Sequence, residues 1–470
     1  MATPLAKPLD PVPPSPTLVR GLSTWDGTLL TIGSIVGTGV FITTADMARV
    51  LPHPGLILLV WLAGGLLTLA GALTYGELGV LFPKAGGLYH FVKEAYGPRI
   101  GFLYGWTAFL VIMSGGNAAI AVAFGEYLGS FLPWFSTGHF LLSVPIGSWT
   151  WTLSGGQVAA VLALVLLTAV NHFGLKEGAW VQNALTVLKI GAIVGLIAIG
   201  LFARAPVTPN LFGPAGHIPS GLLAAFGVAM IAALWTYDGW YGLTCSAGEM
   251  RDPGRSLPRG LILGTAAVML MYLLLNLVYA RALPISAMAE TPRIAETAAS
   301  VLFGPGAARL VSLVVLVSAF GCLSSTILYS SRIYLPMAED GLFFRSLARI
   351  HPVYRTPVPS LWAQTAWSIV LTVSGTYSQL YTYVIFASVL FHAMTAAAVF
   401  IFRRRLPDAP RPYRTWGYPV VPALFILACL LLIGNTLKES PVESLVGLGI
   451  VALGVPAYEM FRRRGVVGRS

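Results

Sequence analysis

The run Gly33-Ser34-Ile35-Val36-Gly37-Thr38-Gly39-Val40-Phe41 sets three glycines within seven residues, beside two hydroxyls, in an apolar stretch from about residue 29 to 50. Each glycine weakens a helix by about 1 kcal/mol relative to alanine. Small residues can serve a close helix–helix contact, but at this density they also let a helix unwind. An unwound turn frees main-chain N–H and C=O groups to hold something polar. At membrane depth such backbone must be buried in protein or line a cavity. The second stretch of this kind is Leu234-Trp235-Thr236-Tyr237-Asp238-Gly239-Trp240-Tyr241-Gly242. An aspartate in the middle of an apolar helix costs roughly 2.5–3.5 kcal/mol, so Asp238 needs a cavity, a partner or a free amide. The glycines and aromatic rings around it favour a second break.

Paired interruptions at corresponding places in two halves of a chain point to a binding site between inverted repeats. The main chain then divides the work. N–H groups near Gly37, Thr38 and Gly39, at the positive end of a half-helix, suit a carboxylate. Carbonyls at Ser34 and Ile35, and at Trp235 and Thr236, suit an ammonium group. Both ends of an α-amino acid are thereby provided for. Tyr237, Asp238 and Gly239 complete the second break, and Trp235 serves as an aromatic cover and gate.

The elements that position these residues follow from composition. The chain has 470 residues, of which 56% are hydrophobic and only 10% charged. A soluble domain carries about 25% charged residues, so this is an all-α polytopic membrane protein. Cys245, Cys322 and Cys429 fall in apolar runs, which argues against a disulfide framework. The formal net charge of +11 is spread over short loops between apolar runs, the positive-inside pattern rather than a nucleic-acid face.

Apolar runs of about 20 residues predict twelve transmembrane helices, near 26–50, 55–81, 100–129, 156–173, 178–203, 219–247, 258–281, 306–336, 359–377, 380–402, 417–437 and 442–461. The breaks fall in segments 1 and 6, giving a five-plus-five repeat with segments 11 and 12 outside it. Most of the 29 Lys and Arg residues lie on one side if both termini are cytoplasmic. Residues 1–20 read as a disordered cytoplasmic tail, 21–403 as the core, 404–461 as segments 11 and 12, and 462–470 as a basic tail. Phe82 to Pro98 reads as an amphipathic segment at the cytoplasmic interface. Pro284 to Pro305 is long enough to form a lid over the outer end, or a passive connector.

These residues carry a resemblance. Gly33 to Phe41 resembles the G-[ST]-I-[IV]-G-[ST]-G-[IV]-F signature of the amino acid–polyamine–organocation (APC) superfamily. Trp235 to Trp240 with Glu249-Met250-Arg251-Asp252-Pro253 and Leu257-Pro258-Arg259 is similar to its L-type amino acid transporter branch. The likeness continues at Tyr75 to Gly79, Pro83 to Gly87, Thr168 to Asn171, Ser330 to Arg332 and Thr356 to Ser360. The resemblance implies a LeuT-like fold with discontinuous helices 1 and 6, and sodium-independent amino acid transport. One departure is Gly248-Glu249, where the family commonly has two acids. Another is the loop Ser130 to Gly155, which lacks the cysteine that links animal members to a heavy chain. A partner linked in that way is therefore not expected, and the chain reads as a bacterial plasma-membrane protein.

Lys189 lies mid-way along segment 5, too deep to reach the headgroups easily. The resemblance implies that its ammonium enters the core between helices 1 and 8 and replaces the cation of sodium-coupled relatives. There it would bond backbone near Gly33 or Ser34 and hydroxyls such as Ser324 and Ser325.

The leading reading is thus a sodium-independent exchanger of neutral L-amino acids working by alternating access. The alternatives are a proton-coupled symporter, a transporter of cationic or small polar amino acids, and an amino-acid sensor. The seven histidines are dispersed without metal-ligand spacing, so no metal, cofactor or enzyme chemistry is expected. The partners expected are an amino acid substrate and the lipid bilayer, with no nucleic acid.

Overall fold

The computed structural model describes residues 18, 20–146, 149–204, 206–209, 211, 221–291, 293–374 and 377–467. Nearly all of the expected N-terminal tail, the turn between segments 9 and 10, and residues 468–470 lie outside the described residues. The helices in chain order are α1 (Thr24–Ile35), α2 (Thr43–Val50), α3 (Pro54–Leu81), α4 (Leu88–Tyr96), α5 (Pro98–Thr107) and α6 (Met113–Gly129). Next come α7 (Gly155–His172), α8 (Leu175–Phe202), α9 (Leu222–Tyr237), α10 (Gly242–Cys245), α11 (Pro253–Ala282) and α12 (Ile285–Glu290). The last six are α13 (Ile294–Phe303), α14 (Pro305–Glu339), α15 (Val358–Ser374), α16 (Tyr377–Arg405), α17 (Val420–Glu439) and α18 (Pro441–Val467).

Among the described residues, nine helices are long and apolar enough to cross a membrane. The other three expected spans have physical reasons for falling short. Segment 1 is divided between α1 and α2 by Val36 to Ile42, with only the 3-10 turn Gly39–Phe41 between them. Segment 6 is divided between α9 and α10. Segment 9, α15, has 17 residues. Segment 3 runs on from α5 to α6 through a π turn at Ala108–Ile112.

Local sequence sets the helix starts. Ser23 caps α1 reciprocally with Asp26: Asp26 N–H donates to Ser23 Oγ at 3.2 Å and Ser23 N–H to Asp26 Oδ2 at 2.9 Å. Ser154 and Gln157 repeat the device at α7, each box satisfying amides that a helix start leaves open. Prolines occupy the first turn of α3, α5, α11 and α14, where no amide is lost. The broken segments stand at the centre: α1 packs on α11, α8 and α14, and α9 packs on α3, α2 and α17. On α17 and α18, Leu424, Leu431, Leu445 and Leu453 are exposed, as a lipid-facing surface requires.

Two connecting segments form helices of their own. The Phe82 to Pro98 region does form an amphipathic helix, α4, but Leu88, Tyr89, Phe91 and Val92 are buried in the protein's own core rather than offered to lipid. The loop after segment 7, α11, folds into α12 and α13, whose Ile294, Ala295, Ala298 and Ala299 are buried. Arg49 Nε of α2 donates to Ala289 O at 2.9 Å, tying this loop to the second half of segment 1. The loop Ser130 to Gly155 holds an antiparallel hairpin, β1 (Phe140–Ile146) with β2 (Trp149–Ser154), the one non-helical element of an otherwise all-α fold among the described residues. All three cysteines are free and buried.

Candidate functional site

The two breaks meet. Gly239, at φ 92°, sits so close to the first break that an added Cβ would lie 2.7 Å from Ser34 O. A Cβ on Gly39 would lie 2.6 Å from Thr236 Oγ1. Thr43 and Thr236 share a hydroxyl hydrogen bond of 2.9 Å across the same seam. Glycine at these two positions is what lets the two main chains touch.

The first break frees carbonyls, and neighbouring helices take them up. Tyr272 of α11 donates from its hydroxyl to Ile35 O at 3.1 Å and to Thr236 O at 3.2 Å, so one side chain holds both breaks. Cys322 of α14 donates its thiol to Ser34 O at 3.1 Å. Ser318, one turn earlier on α14, donates to Val36 O at 3.1 Å and Gly37 O at 3.0 Å. A carbonyl oxygen has two lone pairs, so Ser34, Ile35 and Thr236 keep acceptor capacity. The amide groups of Gly37, Thr38 and Gly39 donate to no main-chain oxygen among the described residues. Open amides before a helix start are where negative charge is favoured.

Lys189 of α8 is fully buried. Its Nζ donates to Gly33 O at 2.7 Å and to Val36 O at 2.5 Å. Gly33 permits this approach, since a Cβ there would sit 2.6 Å from Thr186 Oγ1 of the same helix. The hydroxyls around the ammonium differ from the expected pair. Ser325 donates instead to Gly321 O at 2.9 Å, and Ser324 Oγ faces Asn171 Nδ2 at 3.5 Å. Ser318 shares Val36 O with the lysine. The reason is the axial position of α14: residues 318, 322 and 325 share one face, and the turn opposite the break is the earlier one.

Between the breaks lies a cavity of about 40 Å³ lined by Ser34, Ile35, Gly37, Thr38, Gly39, Trp235, Thr236, Asp238 and Gly239. Ile112, Met113 and Gly116 of segment 3 and Cys322, Thr326 and Tyr329 of α14 close its far wall. Tyr237 is not part of this lining. Its hydroxyl donates to Trp61 O at 3.0 Å, turning the ring toward α3. Sequence reasoning missed Tyr272, Ser318 and the segment 3 wall, for none of them stands in a motif.

The start of the first broken segment and the end of the second are tied by chain and charge. Gly21 and Leu22 N–H donate to Glu249 O at 2.8 and 3.0 Å, and Arg251 N–H to Leu22 O at 3.0 Å. The Glu249 carboxylate takes Arg332 Nε at 2.7 Å and Nη2 at 2.9 Å. The single acid of Gly248-Glu249 thus has a definite buried partner. Glu77 does the same work between α3 and α16, accepting from Arg403 at 2.9 and 2.7 Å and from Thr415 N–H at 2.7 Å.

The family profile described as Amino acid permease matches residues 22–450. The serine/threonine exchanger SteT of Bacillus subtilis (strain 168) is 32% identical over 93% of this chain and 95% of its own length. The large neutral amino acids transporter small subunit 2 of Mus musculus is 31% identical over 91% of this chain and 78% of its own. The human cystine/glutamate transporter is 27% identical over 95% of this chain and 84% of its own. With a match running through both breaks and the helices that hold them, the chain belongs to the amino acid permease family of the APC superfamily and is a multi-pass membrane transporter of amino acids.

Proposed function

We propose that the protein is a sodium-independent exchanger of neutral L-amino acids, housed in a bacterial plasma membrane with both termini cytoplasmic. The observation that carries this reading is the shared cavity of about 40 Å³, lined by Ser34, Ile35, Gly37, Thr38, Gly39, Trp235 and Thr236, where the amides of Gly37, Thr38 and Gly39 donate to no main-chain oxygen among the described residues. The amides take the substrate carboxylate and the carbonyls take its ammonium. Trp235 covers the substrate as a gate. The small wall at Gly116 leaves room for an uncharged side chain. Names of relatives support the class, since they include an exchanger of serine and threonine and a neutral amino acid transporter subunit. The five-plus-five inverted repeat would supply alternating access by rocking the broken segments against the rest. No disulfide-linked partner subunit is needed in this scheme.

Lys189 supports sodium independence. Its ammonium occupies the notch between α1 and α14 and supplies a fixed positive charge to carbonyls that would otherwise suit a metal cation. Hydrogen bonds to a charged donor are worth about 1.5–3 kcal/mol each, so the lysine braces the break with no ion present. Purified protein in sodium-free liposomes tests the reading. Uptake of labelled serine or leucine should require internal amino acid and be unaffected by added sodium. Uptake that proceeds from empty vesicles under an acid-outside gradient would replace exchange with proton symport. That second reading draws on the same lysine, which has no acidic partner among the described residues.

A further inference from the structure

Behind the break in segment 6 lies a second cavity, of about 30 Å³, whose lining includes Thr68, Asp238, Trp240, Ser388, His392 and Cys429. Asp238 lines this cavity and the substrate cavity alike. No other acidic side chain, and no Lys or Arg, lines either one among the described residues. Asp238 Oδ1 stands 4.0 Å from Nε2 of His392. That nitrogen is buried and has no hydrogen-bond partner among the described residues, and the same holds for Ser388 Oγ beside it. The imidazole is held in this pose from behind. Its Nδ1 lies 3.0 Å from Tyr75 OH, and the rings of Tyr241 and Trp240 close on it at centroid distances of 4.8 and 5.4 Å.

A buried donor-or-acceptor nitrogen 4.0 Å from a carboxylate, beside a cavity of about 30 Å³ that both line, is a built site. The titratable groups around it are Tyr75 of α3, Asp238 and Tyr241 of segment 6, Cys322 and Tyr329 of α14 on the Asp238 side, and Cys429 of α17. Further back are Tyr96 of α4, bonded to Met394 O at 2.7 Å, and Tyr104 of α5, whose ring rests on Phe391 at 5.3 Å. Asp238 is the one carboxylate among them.

We propose that His392 is a specificity-determining residue that sets the charge Asp238 shows to the substrate. With a proton from solvent on Nε2, imidazolium and carboxylate neutralise each other, directly or through one water held by Ser388. The pocket then favours amino acids with uncharged side chains. Without that proton the carboxylate is left to the substrate cavity, where it takes an ammonium or guanidinium side chain. One proton moves and no other bond is made or broken.

The proposal rests on the neutral-substrate reading above and is tested in the same sodium-free exchange assay. Inhibition of labelled leucine uptake by arginine is compared with inhibition by serine at about pH 5.5 and about pH 8. In the wild type, arginine should gain on serine by tenfold or more at the higher pH. In His392→Gln, arginine should compete well at both pH values, and in Asp238→Asn at neither. A wild-type ratio that is flat with pH overturns the proposal, and so does a His392→Gln protein that keeps the wild-type slope. If the glutamine variant does not assemble, the wild-type slope and its loss in Asp238→Asn still decide. Absence of neutral amino acid uptake in the wild type would instead remove the reading on which the proposal stands.

Discussion

Lys189 Nζ lies 2.7 Å from the carbonyl oxygen of Gly33, so a charge from segment 5 is fastened directly to the last regular turn before the break in segment 1. The second bond, to Val36 O, reaches the first residue past that turn. The lysine therefore spans the point where the helix stops. Lys189→Ala leaves both carbonyls without the ammonium and opens a void in a fully buried place. With each charged hydrogen bond worth about 1.5–3 kcal/mol, exchange should fall by tenfold or more while the protein still reaches the membrane. Rates in proteoliposomes at matched protein content check this. Unchanged exchange would show that the bonds to Gly33 and Val36 are not needed.

Gly239 joins two constraints that no side chain meets together. Its φ of 92° is a left-handed conformation costing an L-residue roughly 1–2 kcal/mol, and a Cβ would press to 2.7 Å from Ser34 O. Gly239→Ala should thus push the breaks apart and abolish substrate binding, measured as loss of the thermal shift that saturating substrate gives the wild type. Gly434→Ala, on α17 with open space around the position, should bind normally. A substrate shift retained in Gly239→Ala would mean that close contact between the breaks is not required.

The breaks themselves were legible because glycine density and a mid-helix aspartate are local violations of what a spanning helix prefers. The first break starts at Val36, one residue before the glycine that announces it, since the carbonyls lose their partners a turn ahead of the unwinding. Lys189 was legible for the same reason, a charge where none is cheap. Its hydroxyl neighbour was not. Ser318 and Ser325 lie on one face of α14, and only the axial shift of that helix against α1 selects between them. Tyr272 could not be found from the sequence either: its hydroxyl matters because α11 passes beside both breaks, a fact of packing. The hairpin Phe140–Ser154 escaped because its alternating pattern is short and sits among apolar runs.

Arg332 and Glu249 form a bidentate pair with side-chain exposures of 2% and 0%. Removing one partner of so deep a pair leaves an uncompensated charge, at a cost of about 3–5 kcal/mol. Arg332→Met should therefore lower the melting temperature markedly in detergent. Adding Glu249→Leu should recover much of the loss, because an apolar pair of similar volume carries no desolvation penalty. A single variant that melts with the wild type would mean that the pair is hydrated or unpaired in the membrane. The motif Ser330-Ser331-Arg332 would then need another explanation.

His90 on α4 gives stability a pH dependence of known sign. Burial, followed by the positive charge of Lys93, lowers its pKa from 6.5 to about 4. The unfolded chain thus takes up the proton first. Stability is complete above about pH 6.5 and is lost as pH falls toward about 4, by roughly 3 kcal/mol for a shift of this size. His90→Gln removes the titrating group and leaves the carboxylates that respond to acid on their own account. The difference between the two melting curves, followed from about pH 7 to about pH 4.5, should grow steadily in the variant's favour. The site of the effect is the contact between α4 and the end of α14, where Lys93 Nζ and Tyr89 OH both reach Asp340 Oδ2, at 2.7 and 2.6 Å. Loosening there in acid would free the C-terminal end of α14, the helix that carries Ser318 and Cys322 to the first break. Parallel acid sensitivity in both proteins would place the cause elsewhere in the protein.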